Sequence, residues 1–75
     1  MRSYMGYLRG AMTAFTFYLL EDDGAAPAFE IAMFDAIDSA LDHGKRLLKE
    51  RPRYSFVEIT RDDASIAKLS RENLA

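Results

Sequence analysis

The chain contains no cysteine and no tryptophan, and His43 is the only histidine among its 75 residues. Without cysteine it can form neither a disulfide nor a thiolate that acts as nucleophile or metal ligand. A single histidine also excludes metal sites built from several imidazoles. These absences exclude metal centres built on thiolates or on several imidazoles, and they exclude covalent catalysis by cysteine.

Long apolar runs are also missing. Tyr4–Leu20 is the most apolar stretch, but Arg9 interrupts it, and it is shorter than the roughly 20 residues that a membrane-spanning helix needs. No small-x-small cleavage site follows it, so a signal peptide is not indicated. We therefore expect a cytoplasmic protein that does not use a membrane.

Basic and acidic residues are nearly balanced in number. Ten lysines and arginines face twelve acids, giving a formal net charge of −2. This balance argues against a surface built as a whole for nucleic acid, but it does not exclude a local basic patch. The length predicts one domain with a marginal core. Because no disulfide can supplement that core, we expect a homodimer.

The clearest pattern is an amphipathic helix over Asp35–Arg51. Asp35 is the predicted N-cap, Asp38 lies at the capping-box position, and Pro52 ends the helix. Gly44 lies on the apolar side, where a mid-helix glycine costs about 1 kcal/mol relative to alanine and so indicates close packing. The buried stripe predicted by the 3.6-residue period comprises Ile37, Ala40, Leu41, Gly44 and Leu48, with Leu47 at its edge.

Four shorter segments have strand composition. Thr13–Leu20 carries apolar groups on both faces and predicts a central strand or a strand whose second face meets a partner. Ala28–Phe34 could extend the helix, but we interpret it as the hairpin partner of the first strand. Tyr54–Thr60 and Ser65–Ser70 predict a second hairpin, and we expect residues 71–75 to fray.

The predicted order is β-β-α-β-β, which indicates an α+β fold: an antiparallel sheet of three to four strands with one helix packed on one face. Residues 1–11, broken by Gly6 and Gly10, are expected to form a flexible N-terminal extension, so that a single domain spans residues 12–75. One helix cannot cover both faces of the sheet. We therefore expect the homodimer to form through the uncovered sheet face or through a sheet edge.

Few side chains are placed for catalysis. His43 is predicted to face water, opposite the apolar stripe, with no serine or cysteine at a motif spacing. Asp38 and Asp42 could pair as carboxylates, but acids near a helix start are favoured by the helix dipole alone. Residues 21–23 lack the alternation of a calcium loop and are typical of a solvated hairpin tip. We therefore expect no catalytic residue, no metal ligand and no cofactor.

One cluster is strongly basic. It consists of Lys45, Arg46, Lys49, Arg51 and Arg53. Five cations within nine residues, next to Tyr54, could bind phosphate or an acidic partner. The alternative is a solubilising helix end that complements the helix dipole.

Exposed sheet aromatics also occur in RNA-recognition domains, but the glycine and basic spacing of that family is missing. Nucleic-acid binding is therefore the less favoured alternative.

The segments FTFYLLEDDG, FDAIDSALDHGKRLL and VEITRDDASIAKL together resemble a family of small alphaproteobacterial proteins with a domain of unknown function. Its members have an aromatic first strand with an Asp-Gly turn, an Ala/Leu helix and a closing VEVTD-x-G-x-x-L hairpin. The resemblance covers most of Thr13–Leu69. Ala64 stands where the family prefers glycine. The resemblance implies a bacterial protein and no known activity.

The first hairpin and the helix are also similar to the antitoxin half of HicAB-type pairs. That family has a Gly-Cys-rich strand before its helix, which this chain lacks, so the similarity covers about half of the chain. It would imply partner binding and DNA-linked regulation without catalysis. We therefore expect a small non-catalytic interaction module, with a nucleic-acid-linked, antitoxin-like regulator as the alternative.

Overall fold

The computed structural model describes residues 12–74, which form one four-stranded antiparallel sheet with one α-helix. The predicted α+β class and the order β-β-α-β-β are confirmed. The predicted extension, residues 1–11, lies outside the described residues. The elements are β1 (Thr13–Leu20), β2 (Ala28–Phe34), α1 (Ile37–Glu50), β3 (Phe56–Arg61), β4 (Ala64–Ser70) and a closing 3-10 helix, η1 (Arg71–Leu74).

The strand order is β2-β1-β3-β4, so β1 is central, as predicted, and β2 and β4 form the edges. Neighbouring strands are antiparallel throughout. Side chains alternate between the two faces of each strand. The inner face of the sheet therefore carries five large apolar residues: Phe15, Phe17 and Leu19 of β1, and Val57 and Ile59 of β3. All five are at most 1% exposed and form the core together with α1.

The helix packs on the inner face through Ala40, Gly44, Leu47 and Leu48, all of which are buried. The close approach predicted at Gly44 is confirmed. A Cβ added there would lie 2.9 Å from Leu69 Cδ1 and 3.0 Å from Ile59 Cδ1. The glycine therefore lets the helix approach β3 and β4 more closely than any other residue would allow.

Three details of the predicted helix are wrong. It begins at Ile37, and Ala36 is its extended N-cap without a side-chain cap bond, so Asp35 and Asp38 do not form the predicted cap. The reason is that β2 continues to Phe34 and the chain needs residues 35 and 36 to turn. Ile37, in the first turn, is 38% exposed, and the buried stripe begins at Ala40. Leu47, placed at the stripe edge, is only 3% exposed.

The second half of the sheet also differs in detail from the prediction. The strand predicted from Tyr54 begins at Phe56. The Tyr54 side chain precedes the strand and folds into the core at 9% exposure. The segment expected to fray forms η1 up to residue 74. Arg71 anchors it because its guanidinium donates to the carbonyl oxygens of Arg51 and Tyr54.

Both predicted turns are present. In the β1–β2 connection the amide of Gly24 donates to Glu21 O (2.9 Å), and Gly24 has a φ of 88°. The β3–β4 hairpin turns through Asp62 and Asp63, both of which have positive φ values, 52° and 66°. That pair of values matches the two-residue hairpin turn that favours Asn-Gly or Asp-Gly. Among residues 12–74, no helix is long and apolar enough to cross a membrane.

Candidate interaction surface

The outer face of β2 is built from large apolar side chains. Phe29, Ile31 and Met33 lie on the side of the strand away from α1 and are 64%, 59% and 51% exposed. The register explains this orientation, because it pairs the buried residues of β1 with small or charged residues of β2. The inner-face residues of β2 in that pairing are Ala28, Glu30 and Ala32.

The neighbouring strand completes this surface. Tyr18 of β1 pairs with Phe29, is 38% exposed, and its ring centroid lies 6.3 Å from that of Phe29. We call the surface formed by Tyr18, Phe29, Ile31 and Met33 the apolar face. Taking about 200 Å² for a large side chain in full contact with water, the four expose roughly 400 Å². That is within the range of the largest apolar patches on monomers, which are often functional.

The other half of the outer face is polar. Lys68 lies over the ring of Phe56, with Nζ 4.9 Å from its centroid, and so covers the one large aromatic there. Glu58 pairs across the strands with Lys68 and accepts a hydrogen bond from Ser65 Oγ (3.0 Å). The outer face is therefore divided into an apolar half on β1 and β2 and a polar half on β3 and β4.

An ionic cluster ties the edge strand to the helix. Glu30 Oε2 lies 2.8 Å from His43 Nε2, and its Oε1 lies 3.6 Å from Arg51. The imidazole also packs against the rings of Phe17 and Phe34, at centroid distances of 4.9 and 5.3 Å. The prediction that His43 faces water is wrong. Its side chain is 20% exposed because the inner face of β2 extends beneath that side of the helix.

The structure divides the predicted basic cluster. Lys45, Arg46 and Lys49 are exposed and, with Asp42, surround a shallow depression on the helix surface. Within residues 12–74, none of these three cations has a carboxylate oxygen within 4 Å. Arg51 and Arg53 are instead held by carboxylates of the same chain, those of Glu30 and Glu21. Arg53 also lies over the Tyr54 ring at 5.6 Å.

The acids of the first hairpin tip are used within the fold. Glu21 accepts a hydrogen bond from Arg53 Nε (3.0 Å), and Asp22 accepts one from the Ser55 hydroxyl. Asp23 Oδ1 accepts one from the amide of Ala25 (2.9 Å). Across the part of the chain that is described, no three acidic or histidine side chains form a group that could hold a metal ion.

A second depression lies where the sheet, the hairpin tip and η1 meet. It is lined by Asp22, Ser55, Phe56, Ser70, Arg71 and Glu72. Its hydrogen-bonding groups are largely engaged, since the Ser55 hydroxyl donates to Asp22 and the Arg71 guanidinium to two backbone carbonyls. The Arg71 contacts hold η1 against the segment that follows α1, which the sequence did not predict because a frayed tail was expected there.

No family model matches the chain, and no curated protein or solved structure matches it. The resemblances to the alphaproteobacterial family and to HicB-type antitoxins therefore stay predictions.

Proposed function

We propose that this chain is a small, non-catalytic interaction module whose binding surface is the apolar face. The observation that carries the proposal is the exposure of Phe29, Ile31 and Met33 on a regular strand, with no helix from residues 12–74 over that face. These three side chains contribute little to the monomer's own core. Threonine would favour the strand about as well while leaving no apolar stripe in water.

An uncovered apolar stripe is unfavourable for an isolated domain. Burying it would contribute roughly 25 cal/mol for each Å² removed from water, which for about 400 Å² amounts to roughly 10 kcal/mol before the costs of association. Left open, an apolar stripe on an edge strand such as β2 favours aggregation. A partner that covers the stripe would remove both the exposed apolar area and the tendency to aggregate.

Other groups of the described residues support a non-catalytic role. His43 is engaged by Glu30 and packs between aromatic rings, so the imidazole holds β2 on the helix. The acids of the hairpin tip are hydrogen-bonded to the residues around them. Each of these groups has a structural explanation in this fold.

The proposal is tested with an apolar probe, 1-anilinonaphthalene-8-sulfonate, titrated into the chain at low micromolar concentration. We expect its fluorescence to rise with the wild-type chain and to stay low with a triple variant, Phe29→Thr, Ile31→Thr and Met33→Thr. Since the three side chains are largely exposed, the triple variant should unfold at nearly the same urea concentration. Equal dye binding by the two proteins would show that the apolar face is not the binding surface.

A second candidate is binding of a polyanion such as nucleic acid by the helix. It rests on Lys45, Arg46 and Lys49, which lie together without a carboxylate within 4 Å among the described residues. Three phosphate contacts would give a slope of log affinity against log salt of roughly −2.7. A Lys45→Ala, Arg46→Ala, Lys49→Ala variant should abolish such binding, whereas Arg53→Ala should not. No binding by the wild-type chain at 20 mM salt would reject this candidate.

A further inference from the structure

We propose that the apolar face is covered by a second copy of this chain, packed sheet face against sheet face about a two-fold axis. This inference rests on the proposed function, because it names the partner of the same surface. It also chooses between the two interfaces that the sequence left open, the sheet face and the sheet edge.

The area of the surface suits a small dimer. Two copies of the apolar face would bury roughly 800 Å² of apolar side chain between them. The flanking residues Ala14 and Thr16, which lie on the same face of β1, bring the total close to 1,000 Å². That total is below the standard size of stable interfaces and in the range of weak, transient ones, so we expect a dissociation constant in the micromolar range.

Charge on the outer face favours a second copy over a polyanion. Its polar half carries one acid and one base, Glu58 and Lys68, and these lie opposite each other on paired strands. The apolar face itself carries no charge. Two copies can therefore meet there without repulsion, even though each chain has a net charge of −2. A phosphate backbone would find no cation among the four residues of the apolar face, although Tyr18 and Phe29 could stack on bases.

Both sheet edges are protected against pairing, while the face is not. On β2, Glu30 points to the inner side, where it is held by His43 and Arg51. An inward-pointing charge is a common device that keeps an edge strand from adding another strand. On β4, Lys68 and the register shift between Ile59 and Thr60 of its partner strand serve the same purpose.

In such a dimer the two sheets would lie about 10 Å apart, with the helices on the outside. A two-fold axis over the β1–β2 half places Ile31 near the centre, where it meets the same surface of the partner copy. The polar half of each outer face would extend beyond the overlap into water. The arrangement leaves Lys45, Arg46 and Lys49 accessible on opposite sides of the assembly.

The test is sedimentation equilibrium of the full chain from about 1 μM to 1 mM. We expect a mass that rises with concentration from 8.5 kDa to twice that value. Ile31→Lys should raise the dimer dissociation constant about 100-fold, because it places a charge at the centre of a desolvated contact. Ser65→Lys adds the same charge to the polar half of the same face, next to Glu58, and should change the constant less than about threefold.

The triple threonine variant separates face pairing from edge pairing. Threonine keeps the strand and its backbone donors and acceptors but removes the apolar stripe, so a face dimer dissociates and an edge dimer persists. Persistence of the dimer in this variant would overturn the face-to-face arrangement. Circular dichroism of each variant at low concentration establishes that dissociation is not a consequence of unfolding.

Two further outcomes would overturn the inference and bear differently on the proposed function. A wild-type chain that is monomeric at 1 mM and binds the apolar dye has an open face that serves a different partner, so the proposed function survives. A wild-type chain that is monomeric and binds no dye, while a chain beginning at Met12 dimerises, would show that residues 1–11 occupy the face. In that case the proposed function fails as well.

Discussion

Replacing Gly44 tests how closely α1 approaches the sheet. In an exposed helix, glycine to alanine would stabilise the folded state by about 1 kcal/mol. At this position the new methyl group would lie 2.9 Å from Leu69 Cδ1 and 3.0 Å from Ile59 Cδ1. Carbon atoms are most favourably placed at about 3.5–4.0 Å. The neighbouring side chains must therefore move by several tenths of an ångström.

The two neighbours differ in how easily they can move. Leu69 is half-buried and can change rotamer, whereas Ile59 is 0% exposed and is held on all sides. Overpacking a core costs about 1–3 kcal/mol. The gain in helix propensity, about 1 kcal/mol, offsets part of this cost. We therefore expect Gly44→Ala to lower the free energy of unfolding by about 1 kcal/mol. Gly44→Leu, with three more carbons to place, should lower it by at least about 3 kcal/mol.

The assay is urea unfolding followed by circular dichroism at one fixed low protein concentration, because association would otherwise add to stability. Ser39→Ala, at an exposed position of the same helix, measures helix propensity alone and should stabilise slightly. In a Leu69→Ala background, Gly44→Ala should become neutral or stabilising, which gives a coupling of about 1 kcal/mol. If Gly44→Ala alone stabilised the chain by the full propensity gain, the close approach would be refuted.

Two further predictions concern the turns and the edge cluster. Asp63→Gly should raise the free energy of unfolding by about 0.5–1 kcal/mol, because Asp63 has a φ of 66° in a turn that favours glycine there. Gly24→Ala should lower the free energy of unfolding by about 1 kcal/mol. The cause is backbone strain alone, since an added Cβ would meet nothing within 4 Å. Equal urea midpoints for both turn variants and the wild type would contradict the turn geometry. Glu30→Gln should lower the free energy of unfolding by about 1 kcal/mol, a value that allows for the partial exposure of Glu30. It should also increase hydrogen exchange in β2, because His43 and Arg51 lose their shared carboxylate. An Asp42→Asn control should leave β2 unchanged, and rapid exchange in both variants would show that the cluster does not hold the edge.

The sequence was sufficient for the fold because its local signals agree with one another. The 3.6-residue period located α1, and β-branched and aromatic residues located the four strands. Gly44 on the apolar stripe predicted the close helix–sheet contact. Cap and end details were less predictable. Asp35 is a good capping residue by type, but the chain needs residues 35 and 36 to turn from β2 into α1, so Ala36 becomes the N-cap.

The candidate site was only partly predictable, because it depends on register. The period-2 pattern places Phe29, Ile31 and Met33 on one face of β2, but it does not say which face meets the helix. The pairing of Leu19 with Ala28 decides this, and a shift of one residue would reverse it. His43 was misplaced for a related reason. A helical wheel shows the apolar stripe of α1, but it does not show that β2 packs beneath the side of the helix that carries His43.

If this chain makes its contacts through the outer face of β1 and β2, the contacts can be observed by isotope-filtered nuclear Overhauser spectroscopy. The sample is a 1:1 mixture of labelled and unlabelled chains at about 1 mM. We expect intermolecular contacts from the Ile31 and Met33 methyl groups to aromatic protons of Tyr18 and Phe29. Intermolecular contacts confined to the edge of β4 or to α1 would contradict this expectation.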